Sequence, residues 1–222
     1  MKENEEIEIN DKKSKFKKVM EWVYCVLIAI ILVIIIKAFV GTPTIVKQTS
    51  MYPTLKQNQR LWLNKLGVTF NKMPERGDIV TFESPSSGYV NAINANLENA
   101  IAEYNYKPSN AFEYFVYDIL EIGKVSYIKR VIGLPGERVT IKNGKVYING
   151  QELQEDYLQD NVKTDDLQGA FTDVIVPENC VYVMGDNRAA STDSRRFGCV
   201  PVEKIESVAV FRFWPFSDFG TI

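Results

Sequence analysis

The chain has 222 residues, 45% hydrophobic and 24% charged, with a formal net charge of −2, which suits a folded protein with one sizeable core or two small ones. No basic stripe dominates the chain beyond its first twenty residues, so composition speaks against nucleic acid as a partner. Histidine is absent, which excludes Ser-His-Asp and Cys-His catalysis and removes the commonest zinc ligand.

Residues 1–11 are acidic and polar and read as disordered. The stretch "KKSKFKK", Lys12 to Lys18, then carries five lysines and no acid. It precedes "WVYCVLIAIILVIII", Trp22 to Ile36, which holds no charge. Continued to Val40, the segment has 19 residues, close to the roughly 20 that span a bilayer core. Lysines on its N-terminal side place the N-terminus in the cytoplasm, and Lys37 can snorkel to the far interface. A cleavable signal peptide fits less well, because the run is long and no A-x-A site follows. A buried soluble helix fits less well again, because the run is apolar on every side. The expected division is a basic cytoplasmic tail over 1–18, a single-pass cell-membrane anchor over 19–40 and an extracytoplasmic domain over 41–222. In an exported domain Cys180 and Cys199 could form a disulfide or stay as free buried thiols; the sequence leaves both open.

Past the anchor, "RLWLNKL" alternates apolar and polar residues, and "GDIVTF", Gly77 to Phe82, follows the turn "PERGD". "YIKRVIG" is a further strand, closed by "LPGE". "RVTIK" and "KVYI" flank Asn143–Gly144, the signature of a two-residue hairpin, with Asn149–Gly150 next. With "TDVIV", "VYVMG" and "SVAVFRF" these predict a mainly β fold, an antiparallel barrel or sandwich, with a hairpin and cap region over 137–180. Residues 84–123 interrupt the pattern. Ile93, Leu97, Ala100, Ile101 and Tyr104 share one helical face, and Phe112, Phe115, Val116, Ile119 and Leu120 repeat the spacing. Asn110 with Glu113 resembles a capping box and Gly123 a stop. The segment is expected to be a helical hairpin between two strands, either a lid on the barrel or an arm toward the membrane or a secretion or surface-assembly partner.

Without histidine, nucleophilic chemistry falls to a serine activated by lysine. Two cysteines cannot build a metal shell, so neither metal nor cofactor is expected. Asp186 and Asp193 share one loop, whereas a glycosidase keeps its two acids on separate elements of a sugar cleft. A lysine at its ordinary pKa of about 10.4 is protonated near neutrality, but burial among apolar groups can lower it by several units. Lys129 has such surroundings in "VSYIKRVIGL". Ser50, in "KQTSMYPTL", is the candidate nucleophile. Taken singly, Ser50 is a turn residue and Lys129 an edge-strand solubiliser.

Together, "TSMYPTL" (49–55), "RGDIVTF" (76–82), "YIKRVIGLPGE" (127–137) and "GDNRAASTDSRRFG" (185–198) resemble the four boxes of type I bacterial signal peptidases. They stand in family order behind one N-terminal anchor, as in Gram-positive members. The resemblance implies a membrane-bound serine endopeptidase that cuts signal peptides from exported preproteins after small residues at −1 and −3. It assigns Ser50 as nucleophile, Lys129 as general base and Ser191 as the hydroxyl that orients the lysine. It also implies that Asp186, Asp193, Arg195 and Arg130 hold the loop, and that Val46, Met51, Leu55, Tyr127 and Ile128 line the substrate pockets. Gln48 stands where some relatives carry an oxyanion-donating hydroxyl and others glycine, Glu137 where aspartate is usual, and the resemblance does not extend to the insertion or explain it. A non-catalytic membrane-anchored helper in surface-protein or pilus assembly is the competing expectation.

Overall fold

A computed structural model describes residues 2–86, 99–164 and 169–222, with side chains from Lys15 onward. Helix α1, Lys2–Ile35, runs without a break into the apolar segment, and its last turn widens to π geometry over Ile36–Val40. The expected disordered tail is therefore helical. No glycine or proline occurs before Gly41, and extending a helix already nucleated in the apolar run costs little. Residues 15–40 are long and apolar enough to cross a membrane, and none of their most apolar stretch is buried by the rest of the protein.

The helix end is capped by the domain that follows. The Lys65 N–H donates to the Val40 carbonyl at 3.0 Å, and the Thr69 hydroxyl to the Phe39 carbonyl at 3.1 Å. Both donors lie at or within the short helix α2, Leu66–Thr69. These bonds satisfy carbonyls that a helix C-terminus otherwise leaves open. At Gly41 a Cβ would stand 2.4 Å from the Leu63 carbonyl oxygen, so only glycine lets the chain turn into its first strand there.

Twelve strands follow among the described residues. The first six are β1 (Gly41–Ile45), β2 (Arg60–Asn64), β3 (Ile79–Glu83), β4 (Ser126–Gly133), β5 (Arg138–Lys142) and β6 (Lys145–Ile148). The rest are β7 (Gln151–Glu152), β8 (Asp173–Ile175), β9 (Cys180–Met184), β10 (Val200–Pro201), β11 (Ile205–Trp214) and β12 (Gly220–Thr221). One sheet has the order β1-β2-β11-β3-β4-β9-β10, with β12 paired on β11; the other has the order β7-β6-β5-β8. Every pairing between these strands is antiparallel, so the fold is the mainly antiparallel β architecture expected. Asn143 and Gly144 both have positive φ, 53° and 78°, as a two-residue turn matching strand twist requires.

Among the described residues three apolar clusters fill the interior. Ile132, Val139, Val174 and Tyr182 join the two sheets. Val80, Phe82, Val131 and Phe197 fill the middle of the large sheet. Val46, Met51, Leu55, Leu61 and Ile79 pack beneath β1. Cys180 and Cys199 are buried in the first cluster as free thiols.

The insertion differs in part from the helical hairpin expected. Its second half is helical, with α3 over Ala111–Tyr114 and a π-turn over Phe115–Ile119, and the Asn110 side chain caps the Glu113 N–H. Residues 87–98, including Ile93 and Leu97, lie outside the described residues. Ala100, Ile101 and Tyr104 are extended rather than helical: Ala102 donates to the Cys199 carbonyl at 2.8 Å, and Cys199 to that of Ala100 at 2.6 Å. Alternate small residues, Ala100 and Ala102, turn into the core. This two-residue period wins over the helical spacing because the main chain finds a strand-like partner.

Candidate active site

Ser50 lies five residues past the end of β1, in a tight turn in which Tyr52 N–H donates to the Thr49 carbonyl and Leu55 N–H to that of Met51. Lys129 lies on β4, opposite Val80 of β3. The two side chains meet: Lys129 Nζ lies 2.8 Å from Ser50 Oγ and 3.0 Å from the Ile128 carbonyl oxygen. Both residues are nearly shut off from water, Ser50 at 6% and Lys129 at 2% exposure. Burial pulls the Lys129 amine down to about 8, against the opposing pull of Asp193 and Asp186.

Those two carboxylates fail to hold the lysine charged because each is committed to an arginine. Asp186 accepts from Arg130 Nε at 2.9 Å and Nη2 at 2.7 Å, and from the Thr54 hydroxyl at 2.6 Å. Asp193 accepts from Arg195 Nε and Nη2, both at 2.8 Å, and from the Gly185 N–H at 3.1 Å. Burial pushes the Asp193 carboxyl up, but the bond to Arg195, the charge of that arginine and the Gly185 N–H together outweigh it and keep the carboxyl below the usual range. Forked guanidinium–carboxylate pairs are strong and directional, so they fix the 185–198 loop while leaving the amine without an acid of its own.

Gly185 is where the pieces touch. A Cβ there would lie 2.3 Å from Ser191 Oγ and 2.5 Å from the Ser50 carbonyl oxygen. Ser191 is buried; its hydroxyl helps lower the Asp193 carboxyl but makes no well-formed hydrogen bond among the described residues, and it is not bonded to Lys129. The Asn187 N–H donates to the Ser50 carbonyl at 3.0 Å, tying the loop to the serine's turn. Sequence reasoning missed Arg188, which is 1% exposed. It bonds the Gly185 carbonyl at 3.1 Å and pairs with Glu155, joining this loop to the segment after β7. Its signal was a cation inside the 185–198 box, which nothing local told apart from a surface arginine.

Beside the pair runs a cleft of about 480 Å³ between β1 and the start of β4. Val46, Gln48, Tyr127 and Ile128 line it, and Gln48 is exposed. Met51 and Leu55 do not; they are wholly buried beneath it. The cleft's two walls present unpaired main chain. Among the described residues, strand β1 pairs only with β2, and β9 reaches β4 only from Arg130 onward, leaving the outer edge of Ser126–Lys129 open.

The family described as "Signal peptidase, peptidase S26" matches this chain over residues 19–214. Signal peptidase I S of Bacillus subtilis (strain 168) is 33% identical over 216 residues, 94% of this chain and 96% of its own. Signal peptidase IB of Staphylococcus aureus (strain COL) is 31% identical over 216 residues, 91% of this chain and 93% of its own. A crystal structure of a signal peptidase I from Enterococcus faecalis V583 has 29% sequence identity and covers 62% of this chain and 97% of its own. Its TM-score is 0.37, too low to bear on the arrangement.

Proposed function

The chain belongs to the peptidase S26 family of signal peptidases, hence to the serine peptidases that act on signal peptides, and on that premise we propose that Ser50 and Lys129 are its catalytic dyad. The observation that carries this reading is the 2.8 Å approach of a buried, charge-averse amine to a buried hydroxyl.

A preprotein's cleavage region lies extended in the cleft and bonds to the free edges of β1 and β4. Shallow pockets walled by Val46, Tyr127 and Ile128, over a floor made firm by Met51 and Leu55, admit small side chains at −1 and −3. Neutral Lys129 takes the Ser50 proton as Oγ attacks the −1 carbonyl carbon. The oxyanion meets the Ser50 N–H, which makes no hydrogen bond among the described residues, and the exposed Gln48 amide can reach over it. The ammonium of Lys129 then gives its proton to the departing amine, leaving an acyl-enzyme. Water, deprotonated by the same lysine, hydrolyses the ester and frees Ser50. The Ser191 hydroxyl, close to Asp193, turns toward the amine as its charge changes. Asp186, Asp193, Arg130 and Arg195 keep the loop in place.

Residues 19–40 cross the membrane with the N-terminus in the cytoplasm, and residues 41–222 work outside. Holding enzyme and preprotein in one membrane raises their effective concentration. The test is cleavage of a preprotein after an A-x-A site by the full chain. Ser50→Ala is expected to abolish it with the circular-dichroism spectrum unchanged, and persisting cleavage would show that the nucleophile lies elsewhere.

A further inference from the structure

The end of the insertion touches the last turn of α1. Lys37 Nζ donates to the Leu120 carbonyl at 2.8 Å and lies 3.3 Å from Glu121 Oε2. The other oxygen, Glu121 Oε1, takes a 2.8 Å bond from Lys65. One carboxylate thus joins α1, the residue after β2 and the segment leading into β4. Glu121 holds this place with φ at +58°, a left-handed conformation that is unfavourable for a residue with a Cβ. Gly123, two residues on, has φ at +79° without that cost. A glutamate standing where the backbone favours glycine points to work done by its side chain. Burial raises its carboxyl, and Lys65 and Lys37 together more than offset that.

The segment past Glu121 is fastened as well. Lys124 Nζ lies 3.0 Å from Asp118 and 3.0 Å from Glu206 of β11. Val125 to Ile128 then form one wall of the cleft, and Lys129 follows. The opposite wall, β1, continues directly from the helix through Gly41. The helix end therefore meets both walls, one through the covalent chain and one through Lys37 and the 120–121 turn. The Lys65 N–H and the Thr69 hydroxyl already hold the helix end on the side of β1 and β2; the Lys37 contact adds a fastening on the opposite wall, so that the helix end is fixed relative to both sides of the cleft.

We infer that Lys37 and Glu121 are positioning residues that brace the membrane-spanning helix against the substrate cleft, so that a preprotein still embedded in the bilayer enters it in register. The inference rests on the signal-peptide-cleaving function proposed above.

The experiment uses the full chain in vesicles of phosphatidylethanolamine and phosphatidylglycerol, with two substrates: a membrane-inserted preprotein and a short water-soluble peptide spanning an A-x-A site. Lys37→Gln leaves the Glu121–Lys65 pair in place and is the cleaner variant; Glu121→Gln also strips Lys65 of its partner. Lys37→Gln is expected to lower kcat/KM for the inserted preprotein about tenfold, since small misplacements are costly in rate, with the soluble peptide within about twofold of wild type. Lys37→Arg is expected to restore the preprotein rate. Equal losses on both substrates, or no loss on either, would overturn the brace. Ser50→Ala in the same vesicles separates the two questions: cleavage that survives it refutes the dyad, whereas Ser50-dependent cleavage without the substrate split refutes only the brace.

Discussion

Lys129 and Lys124 sit five positions apart in one segment, both largely withdrawn from water, and their pKa values move in opposite directions. For Lys129, burial dominates and brings the amine down to about 8. For Lys124, burial also pulls down, but Glu206 and Asp118 more than offset it and the pKa rises above its ordinary value. Burial alone therefore does not make a base. What matters is whether neighbouring acids are already occupied: Asp186 and Asp193 are taken by arginines, while Asp118 and Glu206 turn to Lys124.

The most severe way to break the contrast is Lys129→Met, which keeps the side chain's bulk and removes the amine. Cleavage should fall by about 10⁴-fold or more, while the fold gains stability at pH 7. The drop from 10.5 to about 8 corresponds to roughly 3 kcal/mol as an upper bound. Below pH 8 the lysine is charged in both folded and unfolded chains, so wild type bears the whole penalty. Between 8 and 10.5 the unfolded chain binds more protons, and wild type recovers as pH rises. Denaturant melts of both proteins across pH 6–11 check this; an advantage for the methionine variant that grows above pH 8 would contradict the assignment. The same titration predicts that wild-type kcat/KM climbs with pH to a midpoint near 8.

A milder change is Arg130→Gln, which leaves Asp186 with Thr54 and frees its charge to act on Lys129. The midpoint of the pH–rate curve should move up to about 9, with an approximately tenfold loss at pH 7 and little change far above it. A loss uniform across pH would mean that Arg130 acts on the loop's shape alone. The smallest effect on activity belongs to Glu206→Gln, which removes one partner of Lys124. Stability should fall by about 2 kcal/mol, read as an earlier urea midpoint, with the pH–rate midpoint unmoved. A displaced midpoint would couple two regions that the contrast keeps apart.

Much of this is legible in the sequence alone. Alternating strands and both Asn-Gly turns carry local signals, whereas the pairing of Ser50 with Lys129, suggested by the absence of histidine, is carried by the resemblance of four ordered boxes to type I signal peptidases. What escaped depends on distant partners. Ala100 to Tyr104 reads as a helical face until Cys199 offers its main chain, and Arg188 is an ordinary loop cation until Glu155 closes on it. The N-terminal residues look disordered by composition, yet the apolar run behind them supplies a helix to extend. Met51 and Leu55 show how apolar residues beside a serine can belong to the floor beneath a cleft.

The facing bare edges of β1 and β4 have one more consequence. A guest segment caught between two ladders of donors and acceptors must give up any coil of its own, and a proline in it forfeits a rung. Candidates would then be sorted in part by how readily their backbone straightens, before any side chain is inspected. Two preproteins with identical residues flanking the scissile bond could be processed at different speeds because one of them unwinds more easily.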